Sequence, residues 1–207
     1  MKKILILSLI LTGCGVKEKA TESMTEKAIE AATGQQLDMS DIAQNSQDQK
    51  VEYDISFDGK PIFGSDKVFT GSVIMIKDQK GIGISGTYSS ETGEQIMWII
   101  NNLQEGFSVP FTAKITNKDS ELDGLPKAMV MCQSLNSNNM FNSPMPFSGT
   151  LKVSQLKADL IEIEFDAQGG PAGVAENQSA WKPFKGKMTF KNPVSIAQGV
   201  EKSTVFK

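Results

Sequence analysis

Residues 151–166, Leu-Lys-Val-Ser-Gln-Leu-Lys-Ala-Asp-Leu-Ile-Glu-Ile-Glu-Phe-Asp, decide the fold. Leu151 and Val153 alternate with Lys152 and Ser154. Beyond a short turn, Ile161, Ile163 and Phe165 alternate with Glu162, Glu164 and Asp166. A period of two puts one set of side chains on each face of a strand, so the stretch predicts a hairpin, apolar inside and charged outside. A three-residue turn at Leu156-Lys157-Ala158 pairs Lys152 with Glu162 and Leu151 with Ile163. A two-residue turn sets Lys152 against Ile161, so the pattern favours the former. Further on, Phe184, Gly186, Met188 and Phe190 face in while Lys185, Lys187 and Lys191 face out, where they can sit opposite Glu162 and Glu164. The two glutamates therefore read as a solvated, cross-paired face. The carboxylate pair of a glycosidase flanks a cleft from different elements instead.

Working upstream, the same period governs the chain back to Val51. Tyr53, Ile55 and Phe57 alternate with Glu52, Asp54 and Ser56, and Asp58-Gly59 marks a tight hairpin turn into 60–63. Strands over 68–76 and 82–88 flank Asp78-Gln79-Lys80-Gly81. If Ile76 faces Ile82, Ile74 faces Ile84 and one apolar stripe crosses both. Thr92-Gly93 turns the chain into 95–100, the most hydrophobic strand. Phe107 to Ile115 alternates around Pro110, which cannot donate to a ladder and so belongs at an edge or beside a bulge. Residues 127–133 form another short strand. About nine to eleven strands with turn signals between them predict a mainly β fold over 51–207. Its architecture is an antiparallel sandwich or small barrel, preceded by one N-terminal helix.

That helix is read over 21–33, from Ala20, Met24, Ala28 and Ala31 or Ala32 at helical spacing and Gly34 at the C-cap position. With the polar stretch that follows, residues 14–50 form a tether. At the start, Lys2 and Lys3 lead an apolar run, Ile4 to Leu11, broken by Ser8 and ending on Leu11-Thr12-Gly13-Cys14. A positive n-region, a short h-region and small residues before a cut make a secretory signal. The run is about half the ~20 residues a membrane span needs. Leu-Thr-Gly-Cys resembles the lipobox of bacterial lipoproteins. The resemblance implies a signal peptide over 1–13, cleavage after Gly13 and acylation of Cys14. Two or three acyl chains would hold a water-soluble body firmly at a membrane of the cell envelope. Gly15 follows Cys14 where Asp would signal inner-membrane retention in enteric bacteria, which favours the outer membrane in a host that has one. Gly149-Thr150-Leu151, Phe165-Asp166-Ala167 and Gly186-Lys187-Met188 further resemble β-domains of Bacteroidetes-type envelope lipoproteins, which implies the same class of fold.

Composition narrows the chemistry. The chain has no histidine, so Ser-His-Asp and Cys-His nucleophiles, His-ligated zinc and imidazole base catalysis are excluded. It has no arginine: all 21 basic residues are lysines, against 24 acidic ones. A mildly acidic chain without guanidinium groups is a poor nucleic-acid binder and a poor phosphate clamp. Gly169-Gly170-Pro171-Ala172-Gly173 lacks the Gly-Lys-Ser/Thr of a P-loop, so no nucleotide is expected. Of the 2 cysteines, acylation of Cys14 leaves Cys132, which lies in the apolar run 128–132 and reads as a buried, inert thiol. Asp38-Met39-Ser40-Asp41 and 119–123 lack EF-hand spacing and read as solvated turns. Thioethers select Cu(I). Met129 and Met131 share a strand face, and Met140 and Met145 bracket an Asn-rich loop. Without a Met-x-x-Met cluster, however, core filling is the preferred reading. No metal and no cofactor are expected.

Trp98 is expected in the core. Trp181 and Phe141 are the candidate ligand-facing aromatics, and the loops over 134–146 and 169–180 are the expected working surface, because rigid β scaffolds carry function on loops. The leading expectation is a non-catalytic envelope lipoprotein that binds a protein partner or surface polymer. An alternative is a lipocalin-like carrier of a lipid or other apolar small molecule. A third is a histidine-free hydrolase with two carboxylates facing one cleft.

Overall fold

The computed structural model describes residues 48–116, 126–134 and 143–207. Cys14, Phe141, the expected N-terminal helix over 21–33 and the acidic stretches at 38–41 and 119–123 lie outside them. The strands all belong to the unit Gln44–Lys207.

Period-two alternation is realised in β1 (Lys50–Phe57), β2 (Lys60–Pro61), β3 (Phe69–Asp78), β4 (Gly81–Ser90), β5 (Gln95–Leu103), β6 (Phe111–Thr116), β7 (Lys127–Gln133), β8 (Met145–Leu156), β9 (Leu160–Gly170), β10 (Lys182–Lys191) and β11 (Val194–Gln198). A one-turn helix, α1 (Lys202–Val205), follows. The eleven strands form one sheet, in the order β11-β3-β4-β5-β7-β6-β8-β9-β10-β1-β2, curled into a half-barrel. The expected mainly β fold and strand number hold. The pairing is antiparallel except at β11–β3 and β6–β7, which run parallel.

The concave face is the core. Trp98, Tyr88, Phe165, Phe184 and Phe190 are almost fully buried there, with Ile, Val, Leu and Met side chains around them. Two approaches depend on glycine. A Cβ on Gly86 would stand 2.4 Å from Trp98 Cε2, and one on Gly71 would stand 2.0 Å from the Thr87 carbonyl oxygen. Gly71 also lies at the seam where β1 approaches β3. There the Gln49 side-chain amide donates to Gly71 O (2.7 Å) and accepts from Gly71 N (3.2 Å), standing in for a ladder pair. Tyr53 of β1 completes the seam. Its ring meets Phe69 edge-on at 5.2 Å, and its hydroxyl donates toward the carbonyls of Gly64 (2.5 Å) and Lys67 (3.0 Å).

The β1–β2 turn is as expected: Asp58 (φ 51°) and Gly59 (φ 74°) are both left-handed, the requirement of a two-residue type I′ turn. Three local expectations are corrected. Lys77, not Ile76, opposes Ile82, and Met75 opposes Ile84. Only Gln79 and Lys80 lie between the paired Asp78 and Gly81, with Asp78 Oδ1 accepting from Lys80 N at 2.7 Å. That one-residue difference in register puts Val73 and Met75 in the core and turns Ile74 and Ile76 outward. In the β8–β9 hairpin, a tight turn is closed between Lys157 and Leu160, and a bulge between Val153 and Gln155 shifts the register, so Lys152 faces Glu164 and Leu151 faces Phe165. The bulge accommodates inward side chains spaced 151, 153 and 156, a spacing a regular strand cannot present on one face. Finally, Pro110 precedes β6 instead of lying within it.

Candidate functional site

The outer surface of the sheet is sorted by charge. Across β8, β9, β10 and β1 the charged outward positions are Lys152, Glu162, Glu164, Asp166, Lys185, Lys187, Lys191, Glu52 and Asp54, interspersed with Thr150, Gln168, Thr189 and Ser56. Glu164 lies between Lys152 and Lys187, and Thr189 stands opposite Glu162. Lys185 Nζ meets Asp166 Oδ2 at 2.9 Å, and Glu52 Oε1 takes both Lys191 and Lys50 at 2.8 Å. Hydrogen bonds from Lys191 and then Lys50 hold the Glu52 carboxyl at about 2, well below its usual range. This is the cross-paired face the alternation predicts.

The other half is different. From β11 across β3, β4 and β5 to β7, one row of outward positions reads Ile196, Ile74, Ser85, Ile99, Met129. The next reads Val194, which is buried, then Ser72, Thr87, Met97 and Met131. No charged side chain stands in either row. Ile76 (45% exposed) and Met129 (37%) are open to solvent, while Ile74, Met97, Ile99, Met131 and Ile196 are half-buried. The continuous apolar run of β5, Ile96-Met97-Trp98-Ile99-Ile100, supplies both surfaces: its even positions fill the core and its odd positions face outward. Five strands at ~4.8 Å by two rows at ~6.6 Å give the strip, Ser72, Ser85 and Thr87 included, a footprint on the order of 300 Å². That lies at the lower end of the range of the largest apolar patches found on monomers, which are often functional.

The residues singled out from sequence are placed as follows. Trp181 is half-buried. Its indole Nε1 donates to Val174 O (3.0 Å), and its ring tilts against Phe147 at 5.5 Å. It thus fastens the loop over 171–181, with its short 3-10 turns at Ala172–Val174 and Gln178–Ala180, to the rim of the sheet. Gly169 and Gly170 belong to β9, not to the loop. Cys132 is fully buried, and burial pushes its thiol pKa up, as an inert core cysteine requires.

Two features escaped the sequence. Glu94, in the β4–β5 turn, is the one buried acidic residue among the described residues. It accepts from the hydroxyls of Ser90 and Thr92 and pairs with Lys67 Nζ at 2.9 Å. Those hydroxyls, then Lys67, hold its carboxyl at about 2. An ionised, fully occupied carboxylate is a clasp between the β4–β5 turn and the segment before β3, not a proton donor. The second feature lies in the core: Tyr88 OH and Trp98 Nε1 find no hydrogen-bond partner among the described residues, though both atoms are buried. Tyr88 stacks on Phe190 at 4.4 Å, and Trp98 lies 5.9 Å from the same ring. Among the described residues, no group of three His, Cys, Asp or Glu side chains is arranged to hold a metal. Comparison with protein-family models, with curated proteins and with solved structures finds no match to this chain.

Proposed function

We propose that the chain is a lipoprotein of the bacterial envelope, anchored through Cys14, whose β-domain docks a protein partner on the uncharged strip of β11, β3, β4, β5 and β7. The observation that carries the docking is the sorting of charge. A sheet face that only meets water can take lysine and glutamate anywhere, as β9 and β10 do. This strip carries methionine and isoleucine instead, and apolar side chains with charge depleted are the composition of interface cores. The partner is accordingly an envelope protein with an uncharged, apolar surface of its own. At on the order of 300 Å² per side the contact is less than half of a standard interface, which suits a transient complex. A shared membrane raises the effective concentration of both partners and compensates for a small contact.

Photo-crosslinking in intact cells tests this. A benzophenone side chain at position 99 is expected to capture a discrete protein, and one at position 187, on the charged half, is not. Equal capture from both positions, or from neither, refutes the docking face. The anchor is tested separately: a Cys14→Ser chain should lose palmitate labelling and leave the membrane fraction, and one that keeps both refutes it.

The unpartnered Tyr88 hydroxyl and Trp98 indole favour a second reading, an apolar small molecule carried in the concave face with a polar group against these two side chains.

A further inference from the structure

We propose that Met97, Met129 and Met131 form a binding site for a soft monovalent metal ion of the Cu(I) or Ag(I) class on the outer face of β5 and β7. Met97 and Met131 are direct cross-strand partners. Met129, two residues along β7 and opposite Ile99, is diagonal to Met97 on the same face. Direct partners in an antiparallel ladder hold their Cβ atoms about 4.5–5.5 Å apart and diagonal ones about 7–8 Å apart, within reach of long side chains. Methionine is unbranched, with three rotatable bonds, so three Sδ atoms can converge on one point above the two strands. The strand i, i+2 spacing of Met129 and Met131 supplies two of them, and the pairing of β5 with β7 supplies the third. No Met-x-x-Met motif is needed.

The donor set determines the ion. Among the described residues the neighbouring outward positions are Ser85, Thr87, Gln95, Ile99, Asn101, Lys127 and Gln133, and none offers a carboxylate, imidazole or thiolate. Magnesium, calcium and zinc need such ligands, whereas neutral thioethers select Cu(I) and its analogue Ag(I). Thioethers bind without losing a proton, so affinity should be flat from about pH 5 to 8, unlike that of thiolate or imidazole sites. Met129 is 37% exposed and gives the ion a way in, while Met75 and Met188 are fully buried and serve as internal controls. The site does not depend on partner docking, although both use the same strip.

The test is a silver(I) titration of the full chain carrying Cys14→Ser, which leaves Cys132 as the one thiol, with the methionine methyls labelled with carbon-13. The expected result is one equivalent bound, with the methyl signals of Met97, Met129 and Met131 shifting together while those of Met75 and Met188 stay in place. Met97→Leu and Met131→Leu keep side-chain volume. Each should weaken silver binding by about tenfold or more, with an unchanged circular dichroism spectrum. Three unmoved methyl signals, shifts spread evenly over all methionines, or parent-like binding by both leucine variants would overturn the site. Because the titration uses purified protein and the crosslinking uses cells, loss of one result leaves the other standing.

Discussion

Replacing Tyr88 by phenylalanine should stabilise the domain. The hydroxyl is buried, has no partner among the described residues, and burial raises its pKa. A buried polar group left unsatisfied costs about 1–3 kcal/mol, and Tyr88→Phe removes that cost while keeping the ring stacked on Phe190. The gap left is no larger than one water-sized probe, roughly 10 Å³. At about 24 cal/mol per Å³ it takes back only about 0.2 kcal/mol. The expected gain is therefore about 1–2 kcal/mol. For a domain of this size that corresponds to a rise in melting temperature of about 2–4 °C for each kcal/mol. Urea unfolding followed by tryptophan fluorescence measures it, with equal slopes for parent and variant as the check that only stability has changed. A loss of 1 kcal/mol or more would refute the reasoning. It would mean that the hydroxyl is satisfied in solution, which is what a carried molecule with a polar group beside Tyr88 requires. The variant thus also discriminates between the docking and carrier readings.

Gly86→Ala should destabilise by about 2–3 kcal/mol through overpacking, because its Cβ would fall 2.4 Å from a Trp98 ring with no room to move; thermal unfolding measures this. In a Cys14→Ser background, Cys132 should react with a thiol reagent about a hundredfold slower in the native chain than in denaturant. A comparable native rate would place that thiol at the surface. Glu94 contributes to the acid limb of stability. Its carboxyl sits at about 2 when folded against an ordinary 4.5, so its contribution is whole above about pH 4.5 and fades as pH falls toward 2. Glu94→Gln should cost about 2 kcal/mol at pH 7, with a gap to the parent that narrows with acidification; urea midpoints between pH 7 and 2.5 report it.

Strand by strand, the fold was legible because alternation is a local property: Tyr53-Ile55-Phe57 and Ile161-Ile163-Phe165 face inward from their own sequence alone. Register was legible only where a turn has a strong conformational demand. Asp58-Gly59 fixes its hairpin through two left-handed residues. At Asp78 to Gly81 the apolar residues on both faces, Val73 and Met75 against Ile74 and Ile76, leave the pattern undecided, and the two-residue turn selects the register. Sheet order was not legible. β5 pairs with β7 across the intervening β6, and β11 returns to β3 in parallel, through contacts that no local period encodes.

The same distinction explains why the candidate strip stayed hidden while the charged face did not. Glu162, Glu164, Lys185 and Lys187 announce their face because each polar residue alternates with an apolar one inside its own strand. The strip is assembled from pieces that look like core when taken singly: Ile74 beside Val73, the unbroken run of β5, and Met129 and Met131 beside Val130. Only the sheet order brings Ile196, Ile74, Ile99 and Met129 into one row, and only the β5–β7 pairing sets Met97 beside Met131. Val73, Met75, Trp98 and Val130 already fill the concave side. The second apolar set, on the opposite face, is the one the proposed docking uses. Since the charged and uncharged halves belong to one continuous sheet, substitutions such as Lys187→Met should leave partner capture at position 99 unchanged, whereas Ile74→Lys should abolish it without unfolding the domain.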